Sequence, residues 1–396
     1  MPQFPNIYSL SFDALTEQIL IWGEPGYRAK QIWEGLYQHL YESPDQFTAL
    51  PRSLKQRLQD AFTLPFGITS SSSQLTPVPH GKPRMSFPTS SGMLQPGQPC
   101  FAHLKPVMLL DSADGQTRKT LYHLPDGRPI EAVLMRYNQR NTLCISSQSG
   151  CAMGCVFCAT GQMGFGRHLE SGEIIEQVLY YARLLGTQKQ VVTNIVIMGM
   201  GEPFHNYEGT LESISRLNDP LGMGLGERRF TISTVGLVPM IQRFTTERRQ
   251  INLAVSLHAA EDDLRSSMLP INKKYPLVVL MDACRDYVEK THRRISFEWA
   301  LIHEVNDTPE QARKLAQLLQ PFKINDSSLC HVNAIPLNPT TQYGGKPTDR
   351  KRAEVFKSEL ESKGIPCTIR LRRGIDIQAG CGMLAGESAQ SERNDT

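Results

Sequence analysis

The sequence predicts an α/β protein whose main domain is a partial (βα)6 TIM-like barrel, preceded by a small helical domain and a β-hairpin extension. After residue 140, apolar runs of strand length alternate with stretches of helical periodicity. Six such repeats favour a parallel sheet curled into a barrel or part of one. Residues 12–64 show helical periodicity alone. Residues 106–137 contain short apolar runs separated by two Asp-Gly pairs, a pattern typical of antiparallel strands joined by tight turns.

The N-terminal helical domain, residues 1–68, is predicted to contain three short helices. Pro25-Gly26 separates the first helix from the second, because Pro and Gly are both unfavourable inside a helix. Apolar residues spaced three or four apart give each helix a face that can be buried. These faces consist of Leu15, Ile19 and Trp22 in the first helix, Ile32, Leu36 and Leu40 in the second, and Leu54 and Leu58 in the third.

A Ser/Pro-rich segment, residues 69–100, is predicted to be a linker or a mobile insertion. Between Ile68 and Pro99, 19 of 32 residues are Ser, Thr, Pro or Gly and none is acidic. Such a composition has too little apolar surface to offset the entropy lost on ordering. The β-hairpin extension, residues 101–139, follows this segment. Its predicted strands are Val107–Leu110, Thr120–Leu124 and Ile130–Met135.

The barrel domain, residues 140–386, contains six predicted strands with helices between them. The strands are Thr142–Ser146, Asn194–Met198, Phe230–Ser233, Asn252–Ser256, Ile295–Trp299 and His331–Ile335. A further strand is predicted at Cys367–Leu371, and residues 387–396 are expected to form a disordered tail. Barrels of this kind place their chemistry at the carboxyl ends of the strands, so the loops that follow these strands are where functional residues are expected.

Three helices of the barrel domain have clear sequence signals. An apolar stripe predicts a helix over Glu173–Leu185. A second helix is predicted to begin where Asp307 or Thr308 precedes Pro309, since an N-cap residue followed by Pro is a strong start signal. The last helix is predicted over Asp349–Lys363.

Composition argues against a membrane or secreted protein. The chain has 42 Lys and Arg against 39 Asp and Glu, a net charge of +3, which excludes a histone-like polycation but allows local basic faces. No apolar run approaches the roughly 18 residues needed to span a bilayer, and the N-terminus lacks the basic and apolar regions of a signal peptide. Nine cysteines, an odd number in a long chain, indicate reduced thiols rather than a disulfide framework. We therefore expect a cytoplasmic protein.

The strongest motif is a C-x3-C-x2-C run, Cys151, Cys155 and Cys158, directly after the first predicted barrel strand. Three thiolates this close on one loop can hold a metal centre, and two kinds of centre compete. A structural zinc ion needs four ligands, and His168 could complete that set. A [4Fe–4S] cluster held by only three cysteines would keep one iron open for a substrate.

This motif, with an aromatic residue before its third cysteine, resembles the signature of the radical S-adenosylmethionine (SAM) superfamily. Seven segments narrow the resemblance to the RlmN family, whose members methylate an adenine of ribosomal and transfer RNA at carbon 2. The segments are Ile130–Val133, Thr142–Gln148, Cys158–Phe165, Met198–Pro203, Ser256–Ala259, Leu269–Tyr275 and Ala379–Gly382. The resemblance extends from about Phe12 to Gly386 and is interrupted by the Ser/Pro-rich segment.

The resemblance implies a [4Fe–4S] cluster held by Cys151, Cys155 and Cys158, with SAM at the open iron. It also implies a set of SAM contacts along the barrel. They are Gly201, Glu202, Ser233, Ser256, Leu257, His258 and Asn338. The strand predictions place these residues at the carboxyl ends of successive strands, as expected for a barrel active site. A Gly-x-Gly turn lets backbone approach a ligand, and a carboxylate can bind the SAM ammonium group.

Three catalytic residues are also implied by the resemblance. Cys381 takes a methyl group from one SAM, and a radical derived from a second SAM activates that methyl for addition to carbon 2 of adenine. Glu131 then accepts the carbon 2 proton, and Cys144 frees the product by forming a transient disulfide with Cys381. Considered alone, Glu131 looks like a solvent-facing strand residue, Cys144 like a buried strand thiol and Cys381 like an ordinary loop cysteine.

The implied substrates are 23S rRNA, at the peptidyl-transferase centre, and tRNA, at the position 3′ to the anticodon. The resemblance further implies a monomer that draws electrons from a donor such as flavodoxin or ferredoxin. Arg370, Arg372 and Arg373 lie shortly before Cys381 and are candidates for RNA phosphate contacts. The basic N-terminal helical domain resembles the accessory RNA-binding domain of the family.

Two other functions stay open at this point. A Cfr-type enzyme, which methylates carbon 8 of the same ribosomal adenine, shares the cysteine set, and only product analysis separates the two. A protein of a different class, an RNA-binding or assembly module with a structural metal site, would not need Cys144, Cys381 or Glu131. The remaining cysteines are predicted to be structural. They are Cys100, Cys284, Cys330 and Cys367.

Overall fold

The computed structural model describes most of the chain, in four ranges. The described residues are 5–65, 84–86, 98–324 and 327–385. The predicted tail and most of the Ser/Pro-rich segment lie outside them. No helix in this described part is both long and apolar enough to cross a bilayer.

The three helices of the N-terminal domain form as predicted. They are α1 (Phe12–Ile21), α2 (Tyr27–Tyr37) and α3 (Arg52–Phe62). The Ser11 hydroxyl oxygen accepts the Ala14 backbone N–H and caps α1. Leu40, however, lies beyond the end of α2 with a φ of 59°. The prediction that Leu40 extends the apolar face of this helix is therefore wrong, because a left-handed residue does not continue a right-handed helix.

Short strands border the Ser/Pro-rich segment. β1 (Leu64–Pro65) pairs antiparallel with β3 (Pro99–Cys100), so the residues before the Ser/Pro-rich segment lie next to those at its end. β2 (Arg84–Ser86) pairs with β4 (Lys105–Asp111) at the edge of the main sheet. The sequence analysis did not predict β2, because its three residues lie within a stretch dominated by Ser, Thr, Pro and Gly.

The predicted hairpin strands form an antiparallel meander that continues into the barrel. β5 (Thr117–His123) pairs with β4 and with β6 (Pro129–Tyr137), and β6 pairs with β7 (Arg140–Cys144), the first barrel strand. The extension is therefore part of the same sheet as the barrel.

The rest of the chain alternates strands and helices. The remaining strands are β8 (Gln148–Gly150), β9 (Phe165–His168), β10 (Asn194–Ile197), β11 (Phe230–Thr234), β12 (Asn252–Ser256), β13 (Ile295–Leu301), β14 (Lys323–Ile324), β15 (Ser327–Ser328), β16 (Cys330–Pro336) and β17 (Cys367–Ile369). The remaining helices are α4 (Ala159–Met163), α5 (Ser171–Gly186), α6 (Tyr207–Asn218), α7 (Val238–Glu247), α8 (Asp262–Met268), α9 (Leu277–Thr291), α10 (Pro309–Leu319) and α11 (Arg350–Ser362).

One eleven-stranded sheet organises these elements in the order β17-β16-β13-β12-β11-β10-β7-β6-β5-β4-β2. All pairs from β17 to β7 are parallel, so the six predicted barrel strands are confirmed and β17 adds a seventh. Among the described strands, β17 and β2 are the edges, and the barrel is therefore open. The predicted fold class is confirmed.

The helix α5 joins the three parts of the molecule. Its predicted apolar stripe is buried. On the same helix, the buried Glu176 accepts hydrogen bonds from the Asn6 side chain and from the backbone N–H groups of His103 and Leu104. Burial raises the pKa of Glu176 to about 8. A single side chain thus connects the N-terminal region, the start of the meander and the barrel.

Candidate active site

The three cysteines of the C-x3-C-x2-C motif lie on the loop between β8 and α4. Gly150, just before this loop, has a φ of 75°, and a Cβ there would lie 2.0 Å from the Gly164 carbonyl oxygen. The Cys151 N–H donates to the same oxygen (2.8 Å), and the Cys158 N–H donates to the Cys155 oxygen (3.1 Å). Backbone hydrogen bonds therefore hold the three thiols on one compact loop.

The surroundings of these thiols favour the protonated form. Burial raises the pKa of Cys151 to about 12, and burial likewise raises the pKa of Cys155 and of Cys158. A positively charged metal centre would reverse this effect, because a bound cation stabilises the thiolates that ligate it. No three His, Cys, Asp or Glu side chains in the described ranges are grouped tightly enough to hold a single metal ion. The His168 Nδ1, which could complete a zinc site, lies 2.9 Å from the Gln148 amide nitrogen.

The turn after β10 carries the first two predicted SAM contacts. Gly201 has a φ of 104°, and a Cβ there would lie 2.6 Å from the Gln148 Cβ, so only glycine fits. The buried Glu202 carboxylate accepts backbone N–H groups from Val235 (2.8 Å) and Phe204 (3.0 Å). Burial raises the pKa of Glu202 to about 7. Glu202 thus joins the end of β10 to the end of β11.

The ends of β11 and β12 carry the next four predicted contacts. Ser233 lies within β11 and Ser256 ends β12, and Leu257 and His258 follow directly. The His258 Nδ1 accepts the backbone N–H of Ala300 (2.9 Å). Its ring meets the Phe157 ring edge-on, with the centroids 5.0 Å apart. Because Phe157 precedes the third cysteine of the motif, this contact brings the predicted SAM contacts against the cysteine loop.

A buried arginine that the sequence analysis missed fixes this region. Arg265 is fully buried on α8 and donates to the carbonyl oxygens of Leu257 (3.1 Å), Ser256 (3.2 Å) and Val235 (2.8 Å) and to the Asn272 side chain (2.7 Å). Burial lowers its pKa to about 10, which leaves it charged at neutral pH. Arg265 therefore holds the two strand ends in fixed positions.

A cavity of about 840 Å³ lies on the interior side of the strands from β6 to β16. Four predicted site residues line it, namely Cys144, Cys158, Asn338 and Cys381. The other predicted site residues lie outside its lining. They are Glu131, Cys151, Cys155, Gly201, Glu202, Ser233, Ser256, Leu257 and His258. The predicted site thus has two adjoining parts, the cysteine loop with the strand ends and the cavity, and Cys158 belongs to both.

The C-terminal loop places Cys381 in this cavity. The Asn338 amide nitrogen donates to the Cys381 carbonyl oxygen (3.0 Å), and the Ala159 N–H donates to the Gly382 oxygen (2.7 Å). Cys381 as a residue is exposed, whereas its thiol is desolvated inside the cavity. This desolvation, followed by the charge of Glu298, raises the pKa of the thiol to about 11. Burial, followed by interaction with Cys381, raises the pKa of Cys144. The two cysteines therefore lie within electrostatic range of each other.

Two sequence families match the chain. The radical SAM superfamily matches residues 145–318, and the ribosomal RNA large subunit methyltransferase N-terminal domain matches residues 5–64. The dual-specificity RNA methyltransferase RlmN 1 of Myxococcus xanthus is 43% identical over 379 residues, which cover 96% of this chain and 94% of the relative. A Chloroflexus aurantiacus protein named "probable dual-specificity RNA methyltransferase RlmN" is 42% identical over 388 residues, 96% of this chain and 92% of the relative. The chain belongs to the RlmN family of radical SAM enzymes.

A crystal structure agrees with the RlmN assignment. A radical SAM methyltransferase from Sphaerobacter thermophilus superposes with a TM-score of 0.82 at 42% identity, covering 96% of this chain and 99% of that one. The resemblance to RlmN seen in the sequence is thus confirmed, and membership of the radical SAM superfamily implies a [4Fe–4S] cluster and SAM. The donor set fits these groups, since three soft thiols share one loop and buried polar groups surround it.

Glu131, which the RlmN resemblance points to as a base, lies on β6 and is fully buried. Its carboxylate forms an ion pair with the equally buried Lys119 of β5, with 3.1 Å between Oε1 and Nζ. The prediction that Glu131, considered alone, faces solvent is wrong. At this point β6 is buried on both faces of the meander. Glu131 shares its strand face with Val133, which lines the cavity.

Arginines surround the mouth of the cavity. The three that the sequence analysis proposed for RNA contacts line it, together with Arg140, Arg228, Arg293 and Arg294. Two other basic pairs of the sequence, Arg248-Arg249 and Lys273-Lys274, lie outside the cavity lining. Only the structure distinguishes the two groups, because the lining arginines come from distant parts of the sequence.

The sequence analysis also missed a polar pair inside the cavity. Glu298 of β13 and Asn333 of β16 are both buried, and the Asn333 Nδ2 donates to the Glu298 Oε1 (2.7 Å). Their signal in the sequence is a polar residue near the middle of each of two mostly apolar strands, a pattern that predicts an interior polar site when the strand is buried.

Proposed function

We propose that this protein is a radical SAM RNA methyltransferase that methylates carbon 2 of an adenine in 23S rRNA, and also in tRNA, through an S-methyl group carried by Cys381. The relatives named as dual-specificity RNA methyltransferases support the RNA substrate class. Cys151, Cys155 and Cys158 would hold the [4Fe–4S] cluster and leave one iron open for SAM.

The observation that carries this proposal is the presence of Cys381 and Cys144 in one cavity beside Cys158. A structural metal site has no use for two further thiols. An enzyme that forms and then breaks a bond between protein and substrate needs one thiol to carry the methyl group and a second to release the product. The hydrogen bond from Asn338 and the Gly382 contact with the cysteine loop keep Cys381 close to where the radical would form.

The chemistry of adenine explains why ordinary methyl transfer is not enough. Carbon 2 lies between two ring nitrogens and is electron-poor, so it does not attack the electrophilic methyl group of SAM. When bound, the cluster and SAM would supply a carbon radical able to remove a hydrogen atom from an S-methyl group. The cluster needs one electron for each turnover, which a donor such as flavodoxin or ferredoxin would provide.

The protein's own groups complete the reaction. Cys381 carries the methyl group into the cavity and becomes bonded to the base. Glu131, charged by its ion pair with Lys119, accepts the carbon 2 proton. Cys144 then bonds to the Cys381 sulfur while the bond from that sulfur to the methylene carbon breaks. This carbon takes up a proton and becomes the methyl group, and the unpaired electron of the adduct would pass to the oxidised electron donor. The disulfide that remains must be reduced by a dithiol before the next turnover. The arginines at the cavity mouth would bind RNA phosphates, with the N-terminal helical domain as an accessory RNA-binding surface.

Two cysteine variants test this proposal. We expect Cys381→Ala to abolish RNA methylation while the protein keeps its iron. We expect Cys144→Ala to accumulate a covalent RNA–protein adduct, because the adduct forms but is not resolved. Adducts are measured by denaturing gel electrophoresis, and methylated adenines by mass mapping of RNA treated anaerobically with protein, SAM and reductant. Cys367→Ala, which removes a buried thiol of β17 outside the cavity, is the matched control and should methylate normally.

The same experiment separates the alternatives. Normal turnover by Cys144→Ala without an adduct would exclude the two-thiol mechanism. A product methylated at carbon 8 would assign the chain to Cfr-type chemistry, and colourless protein carrying only zinc after anaerobic purification would exclude the radical reaction.

A further inference from the structure

A row of polar side chains crosses three neighbouring strands of the barrel. Ser256 of β12 pairs in register with Glu298 of β13, and Glu298 pairs with Asn333 of β16. Residues in register on parallel strands point to the same face of the sheet. Glu298 and Asn333 line the cavity, so this face is the interior one. Glu298 thus lies between Ser256, a predicted SAM contact, on one neighbouring strand and Asn333 on the other. The strand of Asn333, β16, leads to Asn338, another predicted SAM contact.

Glu298 is held firmly in this row. Its Oε1 accepts the Asn333 Nδ2 (2.7 Å), and its own carbonyl oxygen accepts the backbone N–H of Leu257 (3.0 Å). It is the only carboxylate among the described residues that line the cavity. His292 also lines the cavity, but it precedes the amino end of β13 and lies on the arginine-rich side.

Glu298 is also a close electrostatic neighbour of Cys381. Its charge is the largest contribution after desolvation to the raised pKa of the Cys381 thiol, while Arg370 acts in the opposite direction. Burial raises the pKa of Glu298 itself to about 7, against the effects of Asn333 and Arg370. A carboxylate with this pKa can take up a proton at neutral pH and release it again.

We propose that Glu298 is a catalytic residue, the base that accepts the thiol proton of Cys381 when this sulfur takes the methyl group of the first SAM. This inference rests on the proposed function and adds a residue to it. Cys381 is a protonated thiol in its cavity, and a thiol is a much weaker nucleophile than a thiolate. The methyl transfer therefore needs a base within the cavity, and Glu298 supplies a buried carboxylate there.

The step balances without any further reactant. A lone pair of the Cys381 sulfur forms the new bond to the methyl carbon. The bond between that carbon and the sulfonium sulfur breaks, and its electron pair stays on the sulfur, which leaves neutral S-adenosylhomocysteine. The thiol proton moves to the Glu298 carboxylate, and no change of oxidation state occurs in the protein.

The test measures two rates at the same cysteine. The first is methyl transfer, followed by the mass of the Cys381 peptide after cluster-loaded protein receives SAM with a trideuterated methyl group and no reductant. The second is alkylation of Cys381 by iodoacetamide in protein without SAM, followed on the same peptide. The variants are Glu298→Gln, Glu298→Asp and, as a matched control that neutralises an exposed carboxylate of α9 outside the cavity, Glu289→Gln.

The two rates should change in opposite directions in Glu298→Gln. Methyl transfer should fall by about 10²–10³-fold, the range expected when a general base is removed. Alkylation should rise by about threefold or more, because loss of a neighbouring negative charge favours the thiolate. Glu298→Asp, which keeps a carboxylate and guards against a folding defect in Glu298→Gln, should recover part of the methyl transfer. Glu289→Gln should match the unaltered protein in both rates.

Other outcomes would overturn the inference. If both rates rise in Glu298→Gln, the carboxylate only repels the thiolate and is not the base. If alkylation does not change, Glu298 does not act on Cys381 at all. If the unaltered protein takes no methyl group on Cys381 but methylates RNA, the proposed function fails before Glu298 is in question.

Discussion

A single histidine illustrates how burial sets ionisation in this site. His258 has a left-handed backbone with a φ of 61°, which directs it into the interior between β12 and β13. The Nδ1 accepts the Ala300 N–H, so the proton of the neutral ring is on Nε2. Burial, followed by the charge of Arg265, lowers the pKa of His258 to about 3. The ring is therefore neutral throughout the physiological range and can act as a hydrogen-bond donor toward a ligand.

This lowered pKa predicts a pH dependence of stability. The unfolded chain binds a proton at His258 near pH 6.5, whereas the folded protein does so only near pH 3. The free energy of unfolding should therefore decrease as the pH falls below about 6.5, with a contribution from His258 of about 1.4 kcal/mol per pH unit. In His258→Gln this contribution should disappear from urea unfolding curves measured between about pH 7 and pH 5. His39→Gln, which alters an exposed histidine, should keep the original slope, and an unchanged slope in His258→Gln would contradict the assignment.

At the scale of residues, the sequence indicated candidate site residues but not the surroundings of their side chains. The cysteine motif and the Gly-x-Gly turn are local patterns, so they could be found without the fold. The burial of Glu131 could not, because one strand's alternation does not show whether both faces of its sheet are covered. Lys119, its partner, was missed for the same reason, since the two residues meet only when β5 pairs with β6.

At the scale of elements, the meander supports the loop that carries Cys381. The Asp376 carboxylate accepts the Ala113 N–H (2.8 Å), and the Lys119 Nζ lies 3.5 Å from the Gln378 carbonyl oxygen. Lys119 thus contacts both Glu131 and the loop that carries Cys381. The predicted β-hairpin extension therefore supports the candidate active site in addition to forming an edge of the sheet.

Removing Lys119 should show how much its ion pair with Glu131, which joins β5 to β6, contributes to the free energy of unfolding. Lys119→Met leaves the Glu131 carboxylate buried without its counter-ion, which should lower the free energy of unfolding by about 3–5 kcal/mol. The double variant Lys119→Met/Glu131→Gln should recover most of that loss, because no charge remains buried. Lys290→Met, which breaks the exposed Lys290–Asp286 pair, is the control and should cost less than about 1 kcal/mol. Urea denaturation measures all three, and an equal loss in the single and double variants would contradict the role of the charge pair.

Elements with local signals were predicted well. Thr308 caps α10 through its hydroxyl oxygen, as Pro309 in the next position indicated, and the six barrel strands were visible from their apolar runs. The continuation of the barrel sheet into the meander was not predicted, because strand pairing depends on residues distant in sequence. Hydrophobic periodicity also could not predict the position of the C-terminal loop over the cavity. This loop is held by residues that are distant in sequence, namely Ala113, Lys119, Asn338 and Ala159.

For the whole molecule, a small net charge conceals a local concentration of positive charge. The net charge of +3 is small. Even so, seven arginines from four parts of the sequence line one cavity. Glu298 is the only carboxylate among the described lining residues, so the mouth of this cavity is a strongly positive surface. An RNA strand is the polyanion that such a surface would bind, with the phosphates outside and a single base inserted toward Cys381.

This arrangement predicts a specific salt dependence of RNA binding. Arg294 and Arg372 are exposed at the cavity mouth and belong to different strand connections. Removing one arginine that binds a phosphate should reduce the slope of log K against log salt concentration by about 1. Arg294→Gln and Arg372→Gln should therefore each weaken binding of a 23S rRNA hairpin and flatten its salt dependence, and the double variant should flatten it about twice as much. Fluorescence anisotropy across a range of KCl concentrations measures both the affinity and the slope.

The control for this prediction is Arg313→Gln, which removes an exposed arginine of α10 outside the cavity and should leave the slope unchanged. Equal slopes in the control, the two single variants and the double variant would place the RNA elsewhere on the surface.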